Sequence, residues 1–177
     1  MRVIWGRFKG KKLIMSEGKG VRPLTDRVKM GIFNTLFNLI CIEDQKIADV
    51  FCGTGGFGIE ALSLGASAVT FIDRDTADVQ KNLTAVGLEQ KVLRGEAAAM
   101  LGRLPPDSLD LVFMDPPFAM RLESGHYHSA VKSLKNGGLA VIRYCRGNLE
   151  NGEIEELNCF KEKVFGESIV RFYTSGL

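Results

Sequence analysis

The residues whose types and spacing most plainly suit chemistry are Asp115, Pro116, Pro117 and Phe118, which directly follow the hydrophobic run Leu109 to Met114. Proline offers no ladder donor, so Pro116 cannot continue a central strand, and the strand stops at Asp115. The Asp115 carboxylate and the Pro116 carbonyl are then two hydrogen-bond acceptors side by side. Successive prolines fix their own φ and hold the residues before them extended, so both acceptors are set before a ligand arrives. Such a pair suits the exocyclic amine of a nucleobase, whose lone pair is delocalised into the ring. Binding both amine hydrogens favours a pyramidal nitrogen and aims its lone pair at an electrophile. Asp115 can stabilise the charge that develops on nitrogen or take the released proton. Phe118 can stack on a base taken out of its helix, a contact worth about 1–3 kcal/mol.

The electrophile would come from a second cluster. Gly53, Gly55 and Gly58 stand in G-x-G-x-x-G spacing between a strand-like and a helix-like run, where glycines allow a tight turn and close approach of a ligand to the backbone. Asp73 ends the next strand and can accept hydrogen bonds from two ribose hydroxyls. Both NAD and S-adenosylmethionine meet these requirements. Asp49, just before the loop, weighs toward the second, because a carboxylate there attracts an ammonium group and repels a pyrophosphate. Phe51 belongs to the same wall. Glu96, after the third strand, could accept from an adenine amino group while the Ala97 amide meets a ring nitrogen; its alternative role is an acid at a helix start.

A parallel sheet must position these groups. From Ile47 onward, short apolar runs ("IADVF", "AVTFID", "KVLRG", "LDLVFMD", "GLAVIRY") alternate with helical stretches ("GIEALSLG", "DVQKNLTAVG", "AAAMLGRL", "HYHSAVKSLK"), which predicts a sheet covered on both faces. "LNCFKEKVF" and "ESIVRFYT" are separated too closely for a helical crossover and should form an antiparallel hairpin at the end of the sheet. Upstream, "RVIWG" and "KKLIM" suggest a basic hairpin followed by a flexible glycine-containing stretch. Val28, Ile32, Leu36 and Ile40 then recur at helical spacing, with Thr25 as the cap.

Composition sets the remaining bounds. At 177 residues, 45% hydrophobic and 25% charged, the chain fits one ordinary globular core with room for a small appendage. No window approaches a membrane span or a signal-peptide apolar region, so a cytoplasmic protein is expected. Cys41, Cys52, Cys145 and Cys159 form no C-x-x-C pair, and His126 and His128 are expected on a helix surface, so no metal site is predicted. Residues 1–29 carry nine Lys or Arg against two acids, while the remainder holds 14 basic and 19 acidic residues. The positive potential is therefore confined to the amino-terminal segment, which can hold a polyanion. Lys29, Arg22 and Arg27 are expected exposed near the start of the first helix, better placed for a ligand than for helix stability.

Together the stretches "RVIWGRFKGKKL", "RPLTDRVKMGIFNTLFN", "DVFCGTGGFGIEALSLGA", "FIDRD", "MDPPF" and "EKVFGESIVRFY" resemble class I S-adenosylmethionine-dependent methyltransferases of the D-P-P-[FY] type, and within them the RsmD family. The resemblance implies a Rossmann-like, doubly wound, seven-stranded sheet with the last strand antiparallel and a small basic amino-terminal hairpin. Residues 1–22 would be the basic extension and 23–177 the methyltransferase domain. It implies methylation of a guanine N2 amine in 16S ribosomal RNA, within an assembling small subunit, by a monomer. Arg7, Lys9, Lys11, Lys12, Arg22, Thr25 and Arg27 would contact the RNA. The family pattern D-R-V-R-E is replaced by Asp26-Arg27-Val28-Lys29-Met30, and the strand "LAVIRYC" lacks a following carboxylate. Alternatives are DNA adenine-N6 methylation, an NAD-dependent oxidoreductase, and a non-catalytic RNA-binding assembly factor.

Overall fold

The computed structural model describes residues 1–16, 24–148 and 157–176. Seven strands form one sheet in the order β3-β2-β1-β4-β5-β7-β6. They are β1 Lys46–Val50, β2 Ala68–Asp73, β3 Lys91–Arg94, β4 Leu109–Met114, β5 Leu134–Cys145, β6 Leu157–Phe165 and β7 Ser168–Ser175. The first five pair in parallel, and β7 runs antiparallel to both β5 and β6. The helices are α1 Asp26–Leu36, α2 Gly56–Ser63, α3 Ala77–Ala85, α4 Ala97–Leu101 and α5 Ser124–Ser133. The doubly wound α/β sheet and its terminal hairpin are those the sequence predicts.

Period-two alternation along the strands fills two cores, one on each face. Ile47, Phe71, Phe113 and Val141 point into the cluster that holds Ile32 and Phe33 of α1 and Phe57 and Ile59 of α2. Their neighbours Ala48, Ile72, Val112 and Ile142 point into the cluster built with Met100 and Leu101 of α4 and Ala130 of α5. The strand order reverses between β1 and β4. A crevice opens at the carboxyl ends of strands at such a switch point, and both motifs end there.

The amino-terminal hairpin is less regular than two strands. Arg2 and Lys12 form one antiparallel bridge, and a 3-10 turn spans Gly6–Phe8. Regular pairing fails because neighbouring amides are used elsewhere: Ile4 and Trp5 N–H groups donate to the Glu60 carboxylate at 2.9 and 2.7 Å. Lys29, expected to be exposed, is buried instead. Its ammonium lies 2.7 Å from Glu60 Oε2 and donates to the Arg2 carbonyl at 2.7 Å, so α1, α2 and the hairpin share one buried charge network. The expected helix through Lys135 also ends earlier, at Ser133, because Leu134 already pairs with Leu109 as the start of β5.

Candidate active site

The glycine loop joins β1 to α2. Gly53 and Gly55 have φ of 51° and 76°, the left-handed region that glycine adopts without strain. Gly58 serves a different need, since a Cβ there would come within 2.4 Å of the Phe71 ring; only a bare backbone lets α2 lie this close to β2. Two carboxylates lock the loop. Asp73 Oδ2 accepts the Gly53 N–H at 2.8 Å, and Asp49 Oδ2 accepts the Gly58 N–H at 2.8 Å. Asp49 is buried, and burial pushes its carboxyl well above the ordinary value; the Gly58 amide opposes this, while Asp115 and Asp73 add to it. Burial likewise raises the Cys52 thiol, with Asp49 and Asp73 adding to the effect, which leaves it protonated and inert beside the loop. Phe51 precedes the loop with φ of 59°, an uncommon conformation for a non-glycine residue and one that turns the chain out of β1.

One strand over, Asp115 leaves β4 with its N–H donating to the Val50 carbonyl at 3.1 Å. The Pro117 carbonyl is taken by Met120 N–H at 2.8 Å, whereas no donor among the described residues takes the Pro116 carbonyl. The Asp115 side chain is 11% exposed, and its Oδ1 accepts from Arg143 Nε at 2.5 Å. Burial pushes the Asp115 carboxyl up to about 6, with the charge and hydrogen bond of Arg143 working against the rise. Phe118 is half-buried, with the Arg143 guanidinium over its ring, 5.1 Å from the centroid.

Both motifs open on one cavity of about 560 Å³, within the size range of cofactor sites. Asp49, Phe51, Gly53, Asp73 and Ala97 line one side, and Asp115, Pro116, Pro117 and Phe118 the other. Gly55 and Gly58 do not line it and act through the loop they shape. Met1, Met15 and Ser16 bring the amino-terminal segment to its rim. Glu96 is not on the wall. Its carboxylate caps α4, accepting from Ala98 and Ala99 N–H at 3.1 and 2.9 Å, and faces His126 Nε2 at 3.1 Å. Partial burial works against its charge, but the Ala99 and Ala98 amides and then His126 outweigh that and hold the carboxyl below its ordinary range. Glu96 thus has the helix-start role, and Gly95 and Ala97 form the wall beside it. His126 is buried rather than on the surface, its Nδ1 accepting from Glu123 N–H at 3.1 Å; His128 is exposed.

Arg7, Lys9, Lys11 and Lys12 are exposed on the hairpin, and Thr25 and Arg27 are exposed at the start of α1, where the Thr25 hydroxyl accepts from Val28 N–H at 3.4 Å. Arg22 and the glycine-containing stretch after Ser16 lie outside the described residues. Three site-building residues were not foreseen. Asn82 of α3 accepts from Ile14 N–H at 2.7 Å and donates to the Ile14 and Thr54 carbonyls, both at 2.9 Å, tying hairpin and glycine loop together. Asp78, one turn earlier, accepts from Ser16 N–H at 3.0 Å. Arg143 is the third, and a charged residue inside the apolar run "LAVIRYC" was its signal, since a buried guanidinium requires a partner.

The parallel sheet, its antiparallel β7 and a cofactor-sized cavity at the switch point are those of class I methyltransferases. The solved structure of yhhF from Escherichia coli superimposes with a TM-score of 0.83 at 30% identity, covering 99% of this chain and 97% of that one. HI0767 from Haemophilus influenzae gives 0.77 at 28% identity over 98% and 97% of the two chains. The model of the family described as Conserved hypothetical protein 95 matches residues 1–174, and the chain belongs to this family, the RsmD family. Ribosomal RNA small subunit methyltransferase D of E. coli K12 is 33% identical over 98% of this chain and 89% of its own length. The rRNA methyltransferase D of H. influenzae is 35% identical over 69% and 66% of the two chains.

Proposed function

We propose that the protein transfers a methyl group from S-adenosylmethionine to the exocyclic N2 amine of a guanine in 16S ribosomal RNA. The observation that carries this reading is the pairing of two acceptors, the Asp115 carboxylate and the Pro116 carbonyl, which no donor among the described residues takes, with the Phe118 ring on the same cavity as the glycine loop. The cofactor, when bound, supplies an electrophilic methyl on a sulfonium. The residues present fit it: Asp73 suits ribose hydroxyls, the bare Gly53 backbone admits close approach, and buried Asp49, which pairs with no cation among the described residues, suits an ammonium group.

Asp115 and Pro116 bind the two amine hydrogens and fix the nitrogen; Phe118 covers the base plane and excludes water from that side. As positive charge develops on nitrogen, the Asp115 carboxylate stabilises it and then accepts the released proton. Similarity to enzymes named for small-subunit ribosomal RNA supports RNA as the substrate, and the exposed cations of the hairpin supply phosphate contacts. We take the substrate to be RNA in a partly assembled small subunit, and the enzyme to act as a monomer in the cytoplasm. Among the described residues no helix is long and apolar enough to cross a membrane. Incubating the protein and labelled S-adenosylmethionine with small-subunit particles that lack the modification tests the reading. RNase-sensitive label at guanine N2 is expected; DNase-sensitive label, or none, contradicts it.

A further inference from the structure

Arg143 lies in β5 between Ile142 and Tyr144, both buried, and is itself 4% exposed. An arginine cannot shed its charge to enter a core, so its surroundings have to be built around the charge. The register pairs Ile142 with Met114, which sets Arg143 level with Asp115 at the end of β4. From there Nε reaches Asp115 Oδ1 and the guanidinium carbon lies over the Phe118 ring, 5.1 Å from its centroid. One side chain thus touches both the group assigned to the amine and the ring assigned to the base.

We propose that Arg143 is a positioning residue for methyl transfer, orienting the Asp115 carboxylate toward the substrate amine and bracing the Phe118 ring for stacking. The inference rests on the methyl-transfer reading above. Stability alone is a poor reason for the pair, because a buried ion pair contributes little over well-packed apolar residues of similar volume. The planar fork is what matches the two tasks: it can fix a carboxylate rotamer through N–H donors while its face packs on an aromatic ring.

The electrostatics agree with the geometry. Among the described residues, buried Asp49 on β1 is the carboxylate coupled to Asp115, with Asp73 of β2 also acting on Asp49, and both are of like charge. Arg143 is the cation that offsets burial of Asp115. Its removal therefore moves the Asp115 carboxyl further up, and the pH at which the carboxylate form becomes available moves up with it.

Full-length wild-type protein, R143Q and R143K are compared for methyl transfer to small-subunit particles across about pH 5.5 to 8.5, with S-adenosylhomocysteine affinity measured by calorimetry. R143Q is expected to lower kcat about 10-fold or more and to move the acid limb of the profile upward by about one pH unit, with cofactor affinity changed less than about 2-fold. R143K, which keeps the charge but not the planar fork, is expected to restore the acid limb while raising KM for the particle. A wild-type acid limb in R143Q, or a uniform loss at every pH, overturns the proposal. If R143Q does not fold, R143K decides: wild-type kcat and KM in that variant overturn it too. An inactive wild-type protein contradicts the methyl-transfer reading instead.

Discussion

At the scale of single residues, the site is organised by carboxylates held away from water. Asp115 ordinarily ionises well below neutrality, and burial raises it to about 6 even beside Arg143. Only the ionised form can stabilise a developing ammonium, so kcat/KM for methyl transfer should rise through about pH 6 and level off above it. D115A should lower kcat by about 100-fold or more while leaving S-adenosylhomocysteine affinity unchanged, as read by single-turnover transfer and calorimetry. Asp49 makes a separate prediction. Burial holds its carboxyl high, and an ammonium ligand favours the ionised form, so cofactor binding should release a proton and strengthen as pH rises; D49N should abolish both effects in calorimetry run in buffers of different ionisation enthalpy. Asp115 was legible in sequence because it ends a strand beside Pro116, and Asp73 because it ends the strand that follows the glycine loop. Glu96 was ambiguous because strand-end acid and helix cap look alike in sequence, and the cap becomes visible only through the amides of Ala98 and Ala99.

At the scale of elements, one contact sets the distance between helix and sheet and another joins two helices. G58A would drive a methyl group against the Phe71 ring, so it should lower stability by about 1–3 kcal/mol and weaken cofactor binding, measured by chemical denaturation and calorimetry. The Lys29–Glu60 pair joins α1 and α2 and terminates the Ile4 and Trp5 amides. K29M strands the Glu60 charge in the core and should cost about 3–5 kcal/mol, part of which K29M/E60Q recovers by removing that charge. Strands and helices from β1 onward were readable because β-period apolar runs alternate with helical ones. The hairpin was less so: "RVIWG" is strand-like in isolation, but its amides are claimed by a glutamate far along the chain, a long-range competition that local pattern does not encode. The same competition explains Lys29, whose partner Glu60 lies in another helix.

At the scale of the whole molecule, charge and chemistry are divided between the hairpin and the sheet, and the two meet at the cavity rim through Met15 and Ser16. Replacing Arg7, Lys9, Lys11 and Lys12 with Ser should weaken binding of the ribosomal particle and flatten its salt dependence by about 0.7 in the log–log slope per lost phosphate contact, without altering S-adenosylhomocysteine affinity. The charge asymmetry was visible in sequence; the docking of the hairpin on α2 through Glu60 and Ser63 was not. The most direct test of the account is mass spectrometry of 16S ribosomal RNA after single-turnover reaction of modification-deficient small-subunit particles with wild-type protein or D115A. The account predicts one N2-methylguanine formed by the wild-type protein and nearly none by D115A; a methyl group on another atom, or equal yield from both proteins, would contradict it.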